Sequence, residues 1–73
     1  MVEVRVECYA GYRGDETPRR LHFEGREIEV SEVLSRWKEP GVLFFRVRTE
    51  EGRLYVLHKD ESAGRWDIPE ILR

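Results

Sequence analysis

Chemical capacity concentrates between Tyr9 and Arg20, where Gly11-Tyr12-Arg13-Gly14-Asp15-Glu16-Thr17-Pro18 is the one long irregular segment of the chain. Its glycines permit unusual backbone angles, and Tyr9, Tyr12, Arg13, Arg19 and Arg20 could offer ring faces and guanidinium forks to a planar or anionic partner. The competing reading is a loop whose arginines pair with its own acids. The Gly-x-x-Gly spacing matches neither a dinucleotide fingerprint nor a phosphate loop, since no Gly-Lys-Ser/Thr follows. Arg13-Gly14-Asp15 spells the tripeptide read by integrins, a chance match in a chain expected to stay inside the cell.

Other reactive side chains are isolated. His22, His58 and Cys8 show no close pair of the metal-binding kind, so no metal and no cofactor is expected. His22 falls on the polar face of its segment and His58 at the end of one, both in solvated or capping roles. Ser31, Ser35 and Ser62 have no evident histidine partner, and a domain this small offers almost no cleft in which to desolvate a catalytic pair. A non-enzymatic role is therefore expected. Phe44, expected outward beside Arg46 and Arg48, could join Arg19, Arg20 and His22 in a basic stripe for single-stranded nucleic acid, although 15 acidic residues dilute the field.

The 73 residues allow one small core and no second domain. Charged residues make up 38% of the chain at a net charge of −2, so its surface must interleave opposite charges. Asn and Gln are absent and arginine far outnumbers lysine, which fits a protein from a hot environment, or a GC-rich genome. A single cysteine, Cys8, cannot make an internal disulfide and points to a reducing cytoplasm. No apolar run approaches the ~18 residues of a membrane span, and the chain opens directly into an alternating strand without a signal-peptide pattern. Secretion and membrane contact are not expected.

Alternation dominates the rest. Residues 2 to 10 place Val2, Val4, Val6, Cys8 and Ala10 on one face. Leu21 and Phe23, then Ile28 and Val30, repeat the pattern across a Glu24-Gly25 hairpin. For Ser31 to Lys38 two readings stand: a helix capped by Ser31, or, as preferred, a strand continuing past a bulge near Ser31. After the Pro40-Gly41 turn, Leu43, Phe45 and Val47 face one way and Phe44, Arg46 and Arg48 the other. Arg53 to His58 is apolar on both faces, as a central strand covered on each side would be, and Arg65 to Ile68 forms a last short strand stopped by Pro69.

These elements predict an all-β fold, a strongly bent antiparallel meander of about six strands in a small open barrel of the SH3-like or OB-like kind. Trp37, Trp66, Phe23, Phe45 and Tyr55 are the expected core anchors, and the surface carboxylates and arginines are expected to pair across strands.

Glu7 to Pro18, Ile28-Glu29-Val30, Trp37, Phe45-Arg46-Val47, Gly52-Arg53-Leu54-Tyr55 and the final Trp66 together resemble a family of uncharacterised small bacterial all-β domains. The pattern of a Tyr-containing Gly loop, a Val strand leading to Trp, a Phe-x-Val strand and Gly-x-x-Tyr covers nearly the whole chain. Similar domains are appended to some proteins related to translesion DNA polymerases, which implies association with repair machinery and supplies no catalytic residues. The expected role is a protein-binding or accessory module, with single-stranded nucleic-acid binding as the alternative.

Overall fold

Period-two alternation builds the wall of a barrel. In the computed structural model, which describes residues 2–9 and 17–72, six strands follow in chain order: β1 (Val2–Cys8), β2 (Pro18–Phe23), β3 (Arg26–Glu39), β4 (Val42–Thr49), β5 (Leu54–Asp60) and β6 (Arg65–Leu72). Each pairs antiparallel with the next, and β6 returns to β1, so the meander closes on itself. Closure is short: Val2, Glu3 and Val4 face Ile68, Asp67 and Trp66.

The inward positions are the apolar ones. Val4, Leu21, Phe23, Ile28, Phe45, Val47, Tyr55, Leu57, Trp66 and Ile68 form a continuous buried cluster, with Val6, Cys8, Val33 and Leu43 packed partly buried against it. Phe23 meets Tyr55 edge to face at 5.8 Å, and Phe45 lies 5.6 Å from Trp66, so four of the expected anchors touch in pairs. Thr49 is the one buried polar residue among those described; its hydroxyl accepts the Arg53 N–H at 3.2 Å and faces the Arg53 carbonyl at 3.4 Å.

Turns match their residues. Glu24 and Gly25 both adopt positive φ, 53° and 73°, the requirement of a two-residue type I′ hairpin whose twist suits the flanking strands. Gly41 supplies the φ of 78° that follows Pro40. At the same end as the first hairpin, Arg26 binds Glu51 at 2.7 Å and the Glu50 N–H donates to the Glu29 carbonyl at 3.0 Å, tying two hairpin tips together.

Four expectations are corrected. β3 is a strand throughout with the expected bulge at Ser31, but a second irregularity against β4 skips Leu34. The second shifts the phase by one residue, and Trp37 consequently lies on the outer face, 37% exposed, rather than in the core. β6 does not stop at Pro69: its register against β5 passes from His58 opposite Asp67 to Val56 opposite Glu70, and the extra residue there accommodates the proline, which has no N–H to give to the ladder. β5 likewise runs on to Asp60, so His58 is a mid-strand residue rather than a strand end. Finally, β5 is not covered on both sides: Tyr55 and Leu57 are buried inside, whereas Leu54 and Val56 are only half-buried on the outer face.

Candidate binding face

Because Phe45 points into the barrel, its neighbour Phe44 must point out, and the registers of β4 then decide what it meets. Phe44 is opposite Trp37 on β3 and His58 on β5, and His58 is opposite Asp67 on β6. One row therefore crosses four strands of the outer face. Within it the Trp37 and Phe44 rings stack at 5.1 Å and 2° from parallel, and Phe44 and His58 at 5.0 Å and 20°.

The row ends on a carboxylate. His58 Nδ1 lies 3.9 Å from Asp67 Oδ2, beyond hydrogen-bond reach, and is a buried nitrogen with no hydrogen-bond partner among the described residues. Phe44 stacks on one face of this imidazole.

Beside the stack lie Arg46, exposed and without an ion pair among the described residues, and Arg48, which binds Glu32 at 3.0 Å. The half-buried Leu54 and Val56 continue this face onto β5. Phe44, Arg46 and Arg48 thus share a surface as their alternation predicts.

The remaining expected site residues do not join them. Tyr9 is 55% exposed with the Arg19 guanidinium 6.0 Å from its ring centre, a separate contact where β1 ends and β2 begins. Arg20 is engaged elsewhere: it binds Glu29 and, at 3.3 Å, Glu7, which also takes the His22 imidazole. The hydrogen bond from His22, with the charge of Arg20 beside it, holds the Glu7 carboxyl below its ordinary value, while Glu29 raises the Arg20 guanidinium. Those charges satisfy one another, leaving Arg20 little to offer a ligand. Tyr12 and Arg13, with the Arg13-Gly14-Asp15 tripeptide, lie outside the described residues.

No family model matches the chain, and no curated protein or solved structure matches it either.

Sequence reasoning missed Trp37, His58 and Asp67 as members of this face. The available signal was the apolar content of both faces of residues 54 to 57, which demanded an outer surface with something to hold. Chemically the face offers stacked rings and, in Arg46, a guanidinium without an ion pair among the described residues. Elsewhere His22 and His58 each face a carboxylate, while the Ser31 and Ser62 hydroxyls donate to the Arg48 carbonyl and to Asp60. Among the described residues no three histidine, cysteine or acidic side chains converge as a metal site, and no helix is long and apolar enough to cross a membrane.

Proposed function

We propose that this domain is a non-enzymatic protein-binding module that receives its partner on the outer face of β3, β4 and β5. The observation that carries the reading is Trp37, more than a third exposed at the end of a three-ring stack and flanked by Arg46, which has no ion pair among the described residues. Tryptophan and arginine dominate the energetics of protein interfaces because each buries a large, rigid, partly polar surface at modest entropic cost. The stack already holds Trp37 in place, so little ordering cost remains on binding. Having Cys8 as its single cysteine suits the module to a reducing compartment, and the family resemblance suggests partners among repair proteins.

The test is capture of host proteins on the immobilised domain, with and without nuclease, comparing the wild type with the double variant Trp37→Ala, Arg46→Glu. A protein retained by the wild type after nuclease treatment and lost by a folded variant supports the reading. Single-stranded nucleic acid is the second reading, favoured by the open outer ring face of Trp37 as a base platform beside Arg46. Retention that is sensitive to nuclease and to salt would replace the first reading with the second.

A further inference from the structure

The barrel has a seam. Among the described residues β6 pairs with β1 from Val2 to Val4, and continuing that antiparallel register would set Gly64 opposite Val6. Gly64 cannot serve there: it has a φ of 67° and its N–H is spent on the Asp60 carbonyl at 2.8 Å, closing the turn between β5 and β6. The chain thus leaves the sheet one pair too soon.

Where the missing pair would lie is an open groove of about 640 Å³, lined by Glu3, Val4, Arg5, Val6 and Trp66 and by the turn from Ala63 to Arg65. That volume is within the range of about 300–1,000 Å³ typical of binding pockets. The backbone of β1 is oriented to use it. The Tyr9 N–H donates to Thr17 on the β2 side, and alternation along the strand then turns the N–H and carbonyl of Val6 towards the seam.

We propose that this groove takes up an extended segment of a partner protein as an added strand against β1, with apolar and acidic residues alternating along it. Its inward side chains pack on Val6, which is only partly buried against the core, and on Trp66. Its outward side chains lie beside Arg5, which has no ion pair among the described residues, and beside Arg65, which Glu3 approaches at 3.5 Å. Main-chain hydrogen bonds supply affinity in this mode, and the alternate side chains supply register. None of Trp37, Phe44 or His58 lines the groove, so the inference stands apart from the reading of the aromatic face.

The experiment titrates the isotope-labelled 73-residue chain with a capped heptapeptide of alternating Glu and Val, up to about 1 mM, following backbone amides by NMR. Shifts at Val6 and at Ala63 to Trp66, with slowed exchange of the Val6 amide, are expected. N-methylating the peptide bonds that face β1 should weaken binding about tenfold, the loss of one well-made hydrogen bond, while methylating those that face away should not. Arg5→Glu should weaken the Glu/Val peptide and favour a Lys/Val one. Shifts confined to Trp37, Phe44 and His58, equal losses in both methylation phases, or no shift at all would overturn the proposal. So would a dimer of the free protein whose Val6 amide is already protected, since a second copy would then fill the groove.

Discussion

Phe44 and Phe45 are sequence neighbours on β4 that serve opposite sides of the barrel wall: Phe45 packs inside against Trp66, and Phe44 stacks outside between Trp37 and His58. Truncating Phe45 and the outer-face Trp37 should separate core from surface energetics. Phe45→Ala should cost about 3–5 kcal/mol as a core cavity. Trp37→Ala, on the outer face, should cost less, about 0.5–1.5 kcal/mol for the aromatic pair beyond the modest area it buries. Urea denaturation of both variants checks this; similar costs would place Trp37 in the core after all.

Thr49 provides a second test. It is 1% exposed, and its hydroxyl receives the Arg53 N–H across the turn that ends β4. Thr49→Val keeps the shape and leaves that donor unpaired, an expected loss of about 1–3 kcal/mol. Thr49→Ser retains the oxygen and should recover most of the loss if the hydrogen bond, rather than packing, is responsible. Equilibrium unfolding of the two variants side by side decides.

Acid should weaken the fold through identifiable carboxylates. Hydrogen bonding from His22 and the charge of Arg20 hold Glu7 below its ordinary 4.5, and the Ser62 hydroxyl with the Ala63 and Ser62 N–H groups holds Asp60 below 3.8. A carboxyl lowered in this way contributes stability that is complete above its unfolded-state value and is lost as pH falls through its folded value. The melting temperature should therefore begin to drop below about pH 5. Glu7→Gln should melt lower than the wild type at pH 7, with the gap closing towards pH 2. A gap that stays constant across the titration would dissociate the effect from Glu7 ionisation. Because the group is only half-buried, about 1 M salt should narrow the difference at pH 7.

The first hairpin holds a removable strain. Glu24 sits at a φ of 53°, where a side chain other than Asn, Asp or Gly is disfavoured. Glu24→Asn should raise stability by about 0.5–1 kcal/mol, and Gly25→Ala, at a φ of 73°, should lower it by a similar amount. Thermal melts of the two variants should shift in opposite directions.

Much of the architecture was legible before any coordinates. Alternation placed Val4, Leu21, Phe23, Ile28, Phe45 and Val47 inside, and Glu24-Gly25 announced its turn. The ion pairs of Arg20 with Glu29 and of Arg48 with Glu32 follow from charges alternating with apolar residues on facing strands.

The side on which Trp37 lies was decided in three dimensions. From Ser31 to Trp37 polar and apolar residues fit either phase, so the single-residue slip at Leu34 leaves no trace in the pattern while reversing every side chain beyond it. Pro69 could likewise continue a strand only because the register of β6 against β5 slips beside it, which depends on both strands at once. Local alternation determined which segments are strands and which of their side chains are apolar enough to bury. The registers between strands decided the Trp37–Phe44–His58 row and the seam beside Val6, because a cross-strand neighbour belongs to a pair of segments and is encoded in neither one alone.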